Sequence, residues 1–166
     1  MIGNDIVDLE LAQRESNWKR RGFLNKLFTD SEQILIYESD SPEHMVWNLW
    51  SRKEAAYKIV NRQTGLRLFN PIQLECVTTN QIQNFDYGTV RFYNQFLYTR
   101  TEITPELVYT EAVTQRSDFE LITTVTNLKN IQKENGIPFY FDDVQSLLKP
   151  LSITHHGRFN KAITTR

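Results

Sequence analysis

The sequence predicts an α+β fold, an antiparallel sheet packed on a long central helix, in one domain over residues 1–166. Two observations predict it. One stretch, Pro42 to Gln63, carries apolar residues at helical spacing and is much longer than any other helical segment. After Gly65 the character changes to short alternating runs divided by turn residues, as in half-buried strands. Helices gathered early and strands gathered late point to segregated elements rather than to repeated strand–helix units.

Taken in order, Ile2 to Leu9 reads as a first strand, with Gly3 allowing a close backbone approach. Asp5 and Asp8 are unexpected there, since Asp disfavours strands, and are alternatively turn formers at a frayed end. Glu10 to Lys26 reads as one or two short helices, with Leu11, Trp18, Phe23 and Leu24 apolar. Thr29 followed by Glu32 is a capping-box start, and Leu35, Ile36 and Tyr37 are the expected core side of that helix. Ser41 is the expected N-cap of the long helix, Pro42 its first residue and Gly65 its stop. Ile72 to Thr78 reads as a strand, Asn80 to Asp86 as a turn-rich joint, and Thr89 to Arg100 as a hairpin turning near Asn94-Gln95. Leu107 to Thr114 and Phe119 to Thr126 read as strands, and Asn127 to Glu134 as a short helix. Asn135-Gly136 is a turn signal. Pro138 to Phe141 reads as extended, Asp142 to Leu148 as a helical turn, Leu151 to Thr154 as a strand, and Lys161 to Thr164 as a closing one.

With 40% hydrophobic and 12% aromatic residues the chain can bury a core. A net charge of −1 with no long run of either sign disfavours nucleic-acid binding through a basic surface. The single cysteine, Cys76, excludes an intramolecular disulfide and a Cys-based zinc site, and reads as a small core residue. No apolar run approaches the roughly 20 residues that span a membrane, and the start of the chain has no secretory pattern, so a cytoplasmic location without a membrane partner is expected.

Glu54 carries the first chemical signal. Val46, Trp50, Glu54 and Tyr57 recur at helical spacing, which sets a carboxylate on an aromatic stripe. Burying it unpaired costs several kcal/mol or forces protonation. Lys58, four residues on, makes it either an ordinary surface ion pair or a metal ligand beside a cation. Asp5, Asp8 and Glu54 together would form an all-oxygen set, which suits Mg²⁺ rather than zinc and leaves sites for water and substrate phosphates. The glycines are too scattered for a phosphate-binding loop, and His155-His156 has the wrong spacing for a helical zinc pair. Lys19-Arg20-Arg21 is the densest basic spot, either a solvated helix face or a patch for an acidic partner.

Gly3-Asn4-Asp5-Ile6-Val7-Asp8, followed by Trp50-Ser51-Arg52-Lys53-Glu54-Ala55-Ala56-Tyr57-Lys58, resembles the signature pair of the 4′-phosphopantetheinyl transferases, G-[I/L/V]-D and [F/W]-[S/A/C]-x-K-E-[A/S]-x-x-K. Phe28 to Glu32 resembles the family's T-x-x-E helix start, and Ser152-Ile153-Thr154-His155 the Ser-x-[ST]-His strand end of the holo-acyl-carrier-protein synthases. The order of motifs is that of the single-lobe synthase type. Asn4 departs from the usual aliphatic residue, and Val7 stands where the two-lobed type has a further acid.

The resemblance implies that fold and a transfer reaction, in which coenzyme A gives its phosphopantetheine arm to a serine of an apo acyl or peptidyl carrier protein and 3′,5′-ADP leaves. It implies Asp5 and Glu54 as Mg²⁺ ligands, with Asp8 or water completing the set. Lys58 would hold phosphates or help deprotonate the serine, unless Glu54 is the base. Ser152 and His155 would meet the nucleotide end of coenzyme A, and Lys19, Arg20 and Arg21 would dock the acidic carrier. A symmetric homo-oligomer, a trimer by analogy, is implied, unless the additional strands cap the cleft in a monomer or dimer. The competing readings are a non-catalytic relative that binds carrier protein or coenzyme A, and an unrelated Mg²⁺-dependent pyrophosphate hydrolase.

Overall fold

In the computed structural model, which describes residues 1–82 and 84–166, the chain opens with β1 (Ile2–Asp8) and four helices. These are α1 (Leu9–Glu15), α2 (Phe23–Leu27), α3 (Asp30–Glu38) and α4 (Pro42–Thr64). The strands β2 (Leu74–Ile82), β3 (Phe85–Phe92), β4 (Gln95–Ile103) and β5 (Leu107–Val113) follow. The last five are β6 (Ile122–Thr124), β7 (Ile131–Glu134), β8 (Ile137–Asp142), β9 (Leu147–His156) and β10 (Phe159–Thr165). The α+β class is as expected, but the strands form two antiparallel five-stranded sheets rather than one. Their orders are β1-β5-β4-β3-β2 and β6-β10-β9-β8-β7. Helix α4 lies on the first sheet, chiefly against β1 and β5.

Helix α4 begins with Pro42, whose missing N–H costs nothing in the first turn, and ends at Gly65 with φ 72°, a left-handed cap that glycine reaches without strain. Ser41 does not cap it: its hydroxyl is spent on His44 Nδ1 at 2.7 Å. The helix is buried on most of its circumference, through Val46, Leu49, Arg52, Lys53, Ala56 and Val60 among others. The stripe of Trp50, Glu54 and Tyr57 is its half-buried margin, not its centre. Trp50 and Tyr57 hold Phe69 between them, with ring centroids 5.5 and 4.9 Å away.

Helix α3 has the expected capping box, Thr29 Oγ1 accepting from Glu32 N and Glu32 accepting from Thr29 N. Of the expected core side only Ile36 is buried, while Leu35 and Tyr37 are exposed. One turn before Ile36 the same face buries Glu32, so the helix points a carboxylate inward. Cys76 is a buried core residue of β2, its thiol pushed up to about 12 by burial.

The expected joint at Asn80 to Asp86 is narrower than the composition suggests, because β2 runs to Ile82 and β3 starts at Phe85; Gln83 lies outside the described residues. Phe119 to Thr126 is not a continuous strand. A 3₁₀ segment, Arg116–Leu121, precedes the three residues of β6. Asn127 to Glu134 is a 3₁₀ turn followed by β7 rather than a helix. The β7–β8 hairpin turns on Asn135 and Gly136, with φ 51° and 80°, as the Asn-Gly pair requires. The expected helical turn at Asp142 to Leu148 is instead the connection from β8 into β9.

Candidate active site

Gly3 sets the geometry. A Cβ added there would lie 2.0 Å from the carbonyl oxygen of Ala55, so only glycine lets β1 approach α4 this closely. By strand alternation Asp5 points to the same side as Gly3. Asp5 and Glu54 thus line one cleft of about 410 Å³, bounded by β1, α1, α2, α4 and the end of β9. Its apolar wall is formed by Phe23, Leu27, Trp47 and Trp50. Burial raises the pKa of Glu54 to about 7, and the charge of Asp5 adds to this while Lys58 opposes it. Asp5 is raised as well, by burial, against the pull of Lys58 and a hydrogen bond from Thr154. Two carboxylates whose charge burial disfavours, one further disfavoured by the other, in a shared cleft form a site that a cation would stabilise. Among the described residues no three His, Cys, Asp or Glu side chains gather closely enough to enclose a metal ion. The pair of oxygen donors fits Mg²⁺, which keeps several waters and takes its remaining ligands from substrate phosphates.

Lys58, one turn beyond Glu54, sits between the two sheets. Its Nζ donates to Asn4 O at 2.6 Å and Ile153 O at 3.0 Å, and is 3.9 Å from Asp5 Oδ1. Burial lowers its pKa, against the pull of Asp5 and Glu54. Its ammonium is therefore a bridging donor between β1 and β9, next to the carboxylate pair.

Asp8 does not join that pair. Its Oδ1 accepts from Glu10 N and Leu11 N as the N-cap of α1, and both of its oxygens are gripped by Arg158. Arg158 N also donates to Oδ2 at 3.0 Å. These bonds, the Arg158 side chain first, hold the Asp8 carboxyl well below the usual range and leave it no lone pair facing the cleft. The expected third ligand is thus a structural cap, and the His156-Gly157-Arg158 turn is its receptor.

Ser152 does not line that cleft; with Lys58 it lines a second one of about 200 Å³. It is buried, accepts from Asn4 N at 3.0 Å and donates to Asn4 Oδ1 at 2.7 Å, so its hydroxyl is consumed within the fold. His155 is exposed and lines the cleft beside His156. His156 Nδ1 accepts from Asp8 N at 2.9 Å, which places its ring proton on Nε2 in the neutral form. Sequence reasoning passed over Thr154 and His156. The available signal was the alternation Ser152, Thr154, His156, polar residues at every second position of a strand.

The remaining charged residues of the long motif are structural. Lys53, wholly buried, pairs with the equally buried Glu32 at 2.7 Å and donates to Pro71 O at 2.8 Å. Arg52 is buried with Nε on Thr99 Oγ1 and Nη2 on Thr89 O. Lys19, Arg20 and Arg21 lie in the turn between α1 and α2 rather than on a helix face, all exposed. Among the described residues none of the three is ion-paired. Arg20 stacks over Phe23, which is also a wall of the cleft, so the basic turn adjoins the cleft mouth.

Residues 1–109 match the family model of the 4′-phosphopantetheinyl transferase superfamily. The chain belongs to that superfamily. A holo-[acyl-carrier-protein] synthase of Fusobacterium nucleatum is 32% identical over 74 residues, 45% of this chain and 57% of that protein. The matched part thus spans a little over half of the curated relative. Among solved structures, the Neisseria meningitidis holo-[acyl-carrier-protein] synthase aligns with a TM-score of 0.54 at 16% identity, over 69% of this chain and 97% of that one. The Helicobacter pylori holo-[acyl-carrier-protein] synthase, solved in complex with coenzyme A, aligns with a TM-score of 0.52 at 16% identity, over 69% of this chain and all of that one. At that identity the likeness is one of fold. The family match covers Asp5, Glu54 and Lys58 and stops within β5, before the strands that carry Thr154 and His155. No helix among the described residues is long and apolar enough to cross a membrane.

Proposed function

We propose that the chain transfers the 4′-phosphopantetheine arm of coenzyme A to a serine hydroxyl of an apo acyl or peptidyl carrier protein, with release of 3′,5′-ADP. The observation that carries this reading is the pairing of Asp5 and Glu54 in one cleft, both raised in pKa and placed by the glycine contact between β1 and α4. In the transfer the serine oxygen forms a bond to the β-phosphorus, the bond from that phosphorus to the bridging oxygen breaks, and the electron pair leaves with 3′,5′-ADP. Asp5 and Glu54 would hold Mg²⁺, with water in place of Asp8. The ion would supply positive charge to offset that developing on the leaving phosphate.

Glu54 would take up the serine proton through an intervening water, since its own carboxylate would be a ligand of the cation. Lys58 gives two of its three hydrogens to carbonyls, so it fixes β1 against β9 and keeps one hydrogen and its positive charge beside Asp5, where a phosphate would come. His155, exposed at the cleft, is the remaining candidate for contact with coenzyme A. The basic turn at Lys19, Arg20 and Arg21 gives an acidic carrier a complementary surface next to the cleft. A symmetric assembly, a trimer by analogy, belongs to the same reading; sedimentation tests it. A cytoplasmic location completes it.

Val7, an apolar residue of the cleft lining where the two-lobed type has a further acid, favours one second reading, a relative that binds without transfer. Intact-mass spectrometry of an apo-carrier protein incubated with coenzyme A, Mg²⁺ and the protein separates the two. A mass gain of one phosphopantetheine supports transfer, abolished by Glu54→Gln and by Asp5→Asn. Binding without gain supports the second reading. Cleavage of coenzyme A without carrier labelling indicates a pyrophosphate hydrolase instead.

A further inference from the structure

The outer edge of β1 is met by side chains of β9, not by its backbone. Asn4 N donates to Ser152 Oγ at 3.0 Å, Ile6 N to Thr154 Oγ1 at 3.1 Å and Asp8 N to His156 Nδ1 at 2.9 Å. Each rung fixes the polarity of the group that makes it. A hydroxyl has one hydrogen, and one that accepts from a backbone N–H must send that hydrogen elsewhere. For Thr154 the acceptor is Asp5 Oδ1 at 3.2 Å. Thr154 is buried and its χ1 is stiff, so the hydrogen bond comes from a fixed point. It therefore selects the rotation of the Asp5 carboxylate and which oxygen the cleft receives. The neighbouring rung has no such reach, because the Ser152 hydrogen goes to Asn4 Oδ1.

We propose that Thr154 is a positioning residue, holding the Asp5 carboxylate in the orientation that binds a divalent cation together with Glu54. This rests on the reading of Asp5 and Glu54 as the ligands of that cation. It assigns a task to a strand outside the part of the chain that matches the family model.

The test is Mn²⁺ binding to the purified protein without substrates, followed by electron paramagnetic resonance, with far-UV circular dichroism as the check on folding. Thr154→Val should weaken binding about tenfold or more, the usual effect of losing an outer partner of a metal ligand, whereas Thr154→Ser, which keeps the hydroxyl, should stay within about threefold. Thr154→Ala is a second hydroxyl-free variant should the valine not fold. Ser152→Ala removes a rung of the same ladder and serves as the structural control, with Mn²⁺ affinity expected to hold. Equal weakening by Ser152→Ala would show a general effect of the ladder and overturn the proposal. Hydroxyl-free variants that bind as tightly as the parent, while Asp5→Asn does not bind, would overturn the proposal alone. A parent protein that binds no Mn²⁺ would overturn the ligand reading and this inference with it.

Discussion

Replacing Glu54 by Gln should make the metal-free protein more stable at alkaline pH, and the effect can be sized from the structure. The ordinary carboxyl value of 4.5 is raised to about 7 in the folded chain, first by burial and then by Asp5. Between these values the native state retains a proton that the unfolded chain has lost. The protonated group's contribution is present in full below pH 4.5 and lost as pH rises through 7. At about 1.4 kcal/mol per pH unit the displacement amounts to about 3 kcal/mol, reduced by water in the open cleft. Glutamine keeps the shape and never ionises. In urea titrations with a chelator present, the parent and Glu54→Gln should therefore agree near pH 5 and separate progressively to pH 8, the variant ahead by up to about 3 kcal/mol. Added Mg²⁺ should restore stability to the parent and not to the variant, because a ligand that binds only the native state raises its stability. A difference that stays constant from pH 5 to pH 8 would refute the argument that Glu54 ionises at a cost in this cleft.

Further outcomes follow from other contacts. Gly3→Ala drives a Cβ against a backbone oxygen at 2.0 Å, which no rotamer relieves, so a loss of about 3 kcal/mol in urea midpoint analysis is expected, together with weakened Mn²⁺ binding as β1 and α4 part. Lys53→Met leaves the Glu32 carboxylate buried without its cation and should cost about 3–5 kcal/mol by the same measurement, with no direct effect on the cleft. Cys76, buried and with its thiol raised to about 12, should react with a thiol reagent only as fast as the protein unfolds, seen as a rate independent of reagent concentration.

The local features were legible because local chemistry causes them. The capping box at Thr29 and Glu32, Pro42 and Gly65 at the ends of α4, and the Asn135-Gly136 turn each depend on residues a few positions apart. So does the reading of Glu54 as a carboxylate on an aromatic stripe with Lys58 one turn on. What escaped was what depends on the meeting of distant segments. Glu32 reads as a capping residue, yet the same carboxylate also accepts from Lys53 Nζ and from Cys76 N. One residue serving three segments cannot be seen from any one of them. Asp8 reads as a ligand until Arg158, 150 residues on, is known to claim it. Phe119 to Thr126 reads as a strand, but Asn127 and the 3₁₀ segment from Arg116 leave only three residues for pairing.

The ladder of hydroxyl, hydroxyl and imidazole along β1 has a consequence for any attempt to trim this protein. Cutting the chain back to residues 1–109, the part that the family model matches, would remove β9 and strip the acceptors from Asn4, Ile6 and Asp8. The first strand would then carry bare amides beside Ile6 and Val7, a template for strands from other molecules. Such a fragment should form intermolecular sheet and precipitate rather than persist as a smaller folded protein.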